Sequence, residues 1–174
     1  MIDLYNECHR LFSYDKSTGK ITRRFTLTGK NGKPLPSEKC KEGAEVGTLC
    51  RGYLIVSVGR KTYMAHRIVW LMVHGEIPKN QIDHVNGDKS DNRIENLRQA
   101  TPTQNSCNVG KRARNKSGFK GVSYEPKSKK NPFIAQIQVG GKKVYLGCFQ
   151  TAEVAHGAYV KASAELHGTF ARTE

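Results

Sequence analysis

The alternation of apolar and polar positions divides this chain into short elements, with no long apolar run among them. Leu4, Cys8 and Leu11 fall at helical spacing, so residues 1–12 are expected to form a short amphipathic helix. Tyr14 to Arg24 reads as a hairpin around a Lys-Ser-Thr-Gly turn, and 26–45, rich in Gly, Pro and Lys, as a long surface loop. Tyr53 to Val58 is a β-rich run followed by a turn at Gly59 to Lys61. His66 to His74 crowds Ile68, Val69, Trp70, Leu71 and Met72 together, which predicts a buried helix ending near Gly75 and Pro78.

The chain is organised around 81–105. Gln81 to Val85 is short and extended, Asn86-Gly87-Asp88 is a strong turn signal, and Asn96 to Ala100 predicts a second strand. Thr101 followed by Pro102 marks a helix start, the hydroxyl as N-cap and proline in the first turn. Further on, Phe119 to Tyr124, Phe133 to Val139 and Lys143 to Phe149 predict three strands, with Gly140-Gly141 as the hairpin between the last two. Thr151 to Leu166 predicts a capped helix whose Val154, Ala155, Ala158, Tyr159 and Ala162 would lie against the sheet. The fold class expected is α+β.

Composition narrows the function. The 174 residues carry a formal net charge of +14, which points to a polyanionic partner. No apolar run approaches the ~20 residues of a spanning helix, and the first residues, with Asp3 and Glu7, do not read as a signal peptide. The five cysteines form no Cys-x-x-Cys pair and read as reduced thiols in a cytoplasmic setting. Charge thus favours a polyanion over a membrane as partner; double-stranded DNA, with no small-molecule substrate and a monomeric protein, is the expectation that the resemblances described next imply.

Hydrolysis of a phosphodiester needs a deprotonated water in line with phosphorus and positive charge at the phosphate. Asp83 and Asn105 offer hard oxygen donors suited to Mg²⁺ or Mn²⁺. His84 is the candidate general base, and Asn96 the candidate for fixing its tautomer. Neighbours on a strand point to opposite faces, so Asp83 and His84 can converge only at a bend or a strand end. His66 and His74, flanking the predicted helix, read as structural groups.

The run Asp83-His84, Asn86-Gly87-Asp88, Asp91-Asn92, Asn96-Leu97-Arg98, Ala100-Thr101 and Gln104-Asn105 resembles the HNH nucleases, especially phage and intron homing endonucleases. The upstream run from Ala65 to Trp70 is similar to the segment preceding that motif. The resemblance implies a ββα-metal site with Asp83 and Asn105 as metal ligands, His84 as general base and Asn96 as its orienting residue. Asn105 stands where the family name has a final histidine, which should lower affinity for softer metals such as zinc. Arg98 reads as a phosphate contact, the alternative being a side chain that merely solvates the second strand.

A second resemblance covers 117–172. Lys120-Gly121-Val122, Phe133 to Ile137, Tyr145 to Phe149, Thr151 to Ala155, Ala158-Tyr159 and Leu166-His167-Gly168 look like the Apetala-two or ethylene-response-factor DNA-binding domain. That family docks a three-stranded sheet in the major groove, which implies contacts from Lys120, Ser123, Glu125, Gln136, Gln138, Lys143 and Tyr145. Several of these depart from the residues of the plant family, so its base preference is not expected to transfer.

The organisation expected is thus a nuclease domain over 1–109, a basic linker over 110–116 whose Lys111, Arg112 and Arg114 follow phosphates, and a DNA-binding domain over 117–174 with its three-stranded antiparallel sheet packed on one helix. Both parts are basic: 110–174 holds 12 Lys plus Arg against 4 acids, and the rest 17 against 11. The function expected is a metal-dependent, site-specific homing endonuclease acting in a phage or mobile-element host. The alternative is a DNA-binding regulator with an inactive nuclease half, and a third reading is a phage structural or packaging accessory.

Overall fold

The computed structural model describes residues 3–111 and 114–173. The chain divides into two compact units, Met1–Gln99 and Ala100–Glu174.

The first unit opens with helix α1 (Leu4–Leu11), capped by the Asp3 carboxylate, which accepts from the Tyr5 N–H. Strands β1 (Phe12–Tyr14) and β2 (Ile21–Arg23) follow as an antiparallel hairpin with Ser13 opposite Thr22. The 26–45 loop is laid along β2: Arg23 donates to the Ala44 carbonyl at 3.0 Å, and Val46 to that of Ile21 at 2.8 Å. A three-stranded antiparallel sheet comes next, with β3 (Thr48–Cys50), β4 (Tyr53–Val58) and β5 (Lys61–Met64) in that spatial order.

Helix α2 (Ala65–His74) buries Ile68, Val69, Leu71 and Met72 and stops at Gly75, whose left-handed φ of 76° closes its C-terminus. Cys8, Phe12, Ile21, Val56, Val58, Ile82 and Leu97 complete that core. Phe12 and Ile21 enter it from the hairpin, which thereby becomes a wall of the unit. Strand β6 (Gln81–His84) then pairs with β7 (Leu97–Ala100), so the division between units falls inside β7.

The second unit begins with helix α3 (Pro102–Cys107). Its reciprocal capping box joins the Thr101 hydroxyl to the Gln104 N–H and the Gln104 side chain to the Thr101 N–H, as the Thr-Pro pair predicted. Strands β8 (Val122–Tyr124), β9 (Phe133–Val139) and β10 (Lys142–Phe149) form an antiparallel sheet in the order β10-β9-β8. Helix α4 (Ala152–His167) supplies Ala152, Ala155, Tyr159 and Ser163 as its buried face. Val154, expected on that face, is exposed, because the helix turns its smallest residues to the sheet. The closest approach is at Gly121, where any Cβ would collide with the Tyr159 ring. The first strand starts at Val122 rather than Phe119, which leaves Lys120 off the sheet.

Candidate active site

His84 ends β6, and Asp83 precedes it. The strand end meets the condition set by strand geometry. Both side chains are buried, Asp83 at 5% exposure and His84 at 4%. His84 Nε2 lies 3.3 Å from Asn92 Oδ1. An amide oxygen only accepts, so Nε2 carries the proton and Nδ1 the lone pair. Burial pushes the His84 pKa below its usual 6.5, although Asn92 and the carboxylates of Asp83, Asp88 and Asp91 pull it upward. The imidazole is consequently neutral at physiological pH, the form a general base requires.

The ring is also held by its neighbours. His66 meets it edge-on with centroids 5.1 Å apart, and Tyr53 lies 6.1 Å away. Tyr53 also packs edge-on against His66 at 5.6 Å. His66 belongs to this cluster rather than to the helix alone. Burial, then the neighbouring His84, pushes its pKa down to about 4, and its Nδ1 is buried without a hydrogen-bond partner among the described residues. Only packing reveals this role.

Asn96, expected to orient His84, bonds elsewhere. Its Oδ1 accepts from the Asn86 N–H at 2.9 Å, and its Nδ2 donates to Asn86 Oδ1 at 3.0 Å and to the Asp91 carbonyl at 2.9 Å. All three bonds staple the turn that follows β6. The residue at His84 is Asn92, 2% exposed and braced from the distant hairpin. Tyr14 donates its hydroxyl to the Asn92 carbonyl at 3.0 Å. Gly19 packs so tightly that a Cβ there would lie 2.5 Å from the Arg93 nitrogen. Asn92 was part of the motif run, but nothing local separates an orienting asparagine from a turn asparagine.

Asp83 accepts from Arg98 through one oxygen, Oδ2, at 2.8 Å from Nε and 2.7 Å from Nη2. The guanidinium expected on a phosphate is therefore held on the expected metal ligand, because a carboxylate this buried needs a positive partner. Asn105 sits in α3, in the second unit, where its N–H donates to the Thr101 carbonyl at 2.9 Å. Taken one by one, the Asp83 carboxylate and the Asn105 carboxamide are hard oxygen donors of the kind that suits a divalent cation. No group of three or more His, Cys, Asp or Glu side chains gathers at one point among the described residues.

Comparison with known proteins bears on this constellation directly. A family model described as HNH endonuclease matches residues 63–107, from β5 through α3. Protein 3.8 of Escherichia phage T7 is 34% identical over 108 residues, covering 62% of this chain and 87% of its own length. The chain belongs to the HNH endonuclease family. An uncharacterized HNH endonuclease of Acanthamoeba polyphaga mimivirus is 33% identical over 108 residues, covering 61% of this chain and 54% of its own length. No solved structure matches the chain. Membership of a nuclease family implies a nucleic-acid substrate, and no helix among the described residues is long and apolar enough to cross a membrane.

In this HNH protein the expected DNA-contacting residues fall into two sets. Gln136 stands directly opposite Tyr145 in the sheet, and Gln138 opposite Lys143, so the four share one face. Ser123 and Ile134, paired across β8 and β9, continue it. The buried Ala135 and Ile137 alternate to the other face, with Val122 beside Ala135. Tyr145 is 64% exposed and donates its hydroxyl to Cys148 Sγ at 2.9 Å. Glu125 lies just beyond β8 and is exposed.

Lys120 behaves differently. Its Nζ donates to the carbonyls of Cys107 and Arg172, each at 2.7 Å, and burial lowers its pKa. It ties the unit together and does not join the sheet face. Lys111 donates to the Gly118 carbonyl at 2.9 Å, Arg114 is exposed, and Arg112 lies outside the described residues. A cleft of about 590 Å³ has Lys111, Arg114, Lys120, Lys143 and both glutamines in its wall, and no acidic residue among the described residues.

Proposed function

We propose that the protein is a metal-dependent, site-specific DNA endonuclease of the homing type. The observation that carries this reading is a buried, neutral His84, tautomer set by Asn92, beside a buried carboxylate at the end of β6 within the HNH-matched stretch. His84 Nδ1 takes the proton of the attacking water, whose oxygen forms the new bond to phosphorus as the bond to the leaving oxygen breaks. Asn92 keeps the ring in the required tautomer, and Asn96 keeps the turn beneath it from opening. Asp83 and Asn105 would hold Mg²⁺ or Mn²⁺, which supplies positive charge to the phosphate.

The sheet face of Ser123, Gln136, Gln138, Lys143 and Tyr145 is the reader, entering a major groove in which glutamine recognises adenine edges and lysine guanine edges. Lys111, Arg112 and Arg114 of the basic linker follow the backbone. One site per chain makes a nick the expected product of a monomer. The test is selection of bound sites from a genomic DNA pool, then incubation of the full chain with the enriched target and Mg²⁺. Cleavage that chelation abolishes is the expected result; a bound target left intact with Mg²⁺ and Mn²⁺ alike would contradict the proposal.

A further inference from the structure

We infer that Arg98 is a built-in cation competing with the divalent metal for Asp83, so that the free protein binds metal weakly. The inference rests on the reading of Asp83 as a metal ligand and concerns how that ligand is regulated. Two guanidinium nitrogens converge on the single oxygen Oδ2, at 2.8 and 2.7 Å. The pair is drawn out of solvent, with side-chain exposures of 18% for Arg98 and 5% for Asp83. Water and salt therefore screen it little, and its attraction exceeds that of a surface pair.

The two residues belong to paired strands, β6 and β7, which keeps Arg98 within reach of the carboxylate. A divalent ion approaching that oxygen must displace the guanidinium or accept a like charge within a few ångströms, and either lowers its affinity. The arrangement also has a use in the metal-free protein. A buried carboxylate without a positive partner is strongly destabilising, and Arg98 supplies that partner before any metal arrives. A phosphodiester offers the guanidinium another two-oxygen partner, which its planar fork matches. Arrival of DNA thus releases Asp83 to the metal, and metal loading becomes linked to substrate.

The test measures metal binding without DNA, by calorimetric titration of Mn²⁺ into the full chain and by thermal unfolding with and without Mn²⁺. Wild type, Arg98→Gln, Arg98→Lys and Asp83→Asn are compared. Arg98→Gln is expected to melt lower than wild type in chelator, to bind Mn²⁺ on the order of tenfold more tightly, and to show a larger rise in melting temperature on adding Mn²⁺. Arg98→Lys, which keeps the charge but loses the fork, is expected to fall between the two and serves if the glutamine variant does not fold. Equal or weaker Mn²⁺ binding by Arg98→Gln and Arg98→Lys, with binding still lost in Asp83→Asn, would overturn this inference alone. No Asp83-dependent response in any protein would overturn the metal-ligand reading and this inference with it.

Discussion

The polar residues at the end of β6 and those on the outer face of the β8–β10 sheet are handled in opposite ways, although both sets draw on carboxamides and cations. In the first unit, Asn92, Asn96, Asp83 and His84 are buried, and Asn96 alone makes three hydrogen bonds to one turn. In the second unit, Gln138, Lys143 and Tyr145 are exposed on a face set by cross-strand register. A group that must meet a reacting atom in one orientation needs several constraints. One that must adapt to a base edge needs a rigid backbone and a free tip. Substitutions in the first set should therefore move turnover and stability, and those in the second should move affinity.

The largest expected effect is on stability. His66 has a folded pKa of about 4 against an ordinary 6.5, so between those values the unfolded chain binds a proton that the folded chain refuses. Stability should be intact above pH 6.5 and fall by up to about 3 kcal/mol as pH drops toward 4. Urea unfolding across that range should show the loss in wild type and a shallower one in His66→Phe. Equal slopes would mean that the imidazole is not held neutral by its surroundings.

Next comes the division of labour between two asparagines. Asn92→Ala should lower kcat by about 10–100-fold with little change in KM, since it removes the acceptor that sets the His84 tautomer. Asn96→Ala should act chiefly on folding, costing about 1–3 kcal/mol through the unstapled turn. Single-turnover rates with parallel melting curves separate the two, and the reverse pattern would return the orienting role to Asn96.

The smallest effect sharpens the contrast within the second unit. Lys143→Gln should reduce the slope of log affinity against log salt by about 0.9, the value for one phosphate neutralised. Lys120→Met should leave that slope unchanged and lower the melting temperature, since its ammonium holds two carbonyls. Equal slopes for the two variants would erase the distinction drawn between them.

Much of this architecture was readable from residues alone where the signal is local. Thr101-Pro102 predicted the start of α3, and Gly140-Gly141 the β9–β10 hairpin. The same positions placed Asp83 and His84 together on a short strand. What escaped was set by contacts distant in sequence. Asn92 replaces Asn96 at His84 because Tyr14 and Gly19 brace it across more than 70 residues. Arg98 turns to Asp83 because β6 and β7 pair, and Lys120 turns inward because the Cys107 and Arg172 carbonyls meet beside it. The helix that closes the motif run, α3, belongs to the second compact unit.

On the endonuclease reading His84 activates the water that breaks the phosphodiester bond. The most direct measurement of that step is single-turnover cleavage of an enriched target by wild type and His84→Ala, with DNA affinity measured on the same preparations. Loss of cleavage by roughly 10²–10⁴-fold with affinity unchanged is the predicted result; cleavage by His84→Ala at the wild-type rate would contradict it.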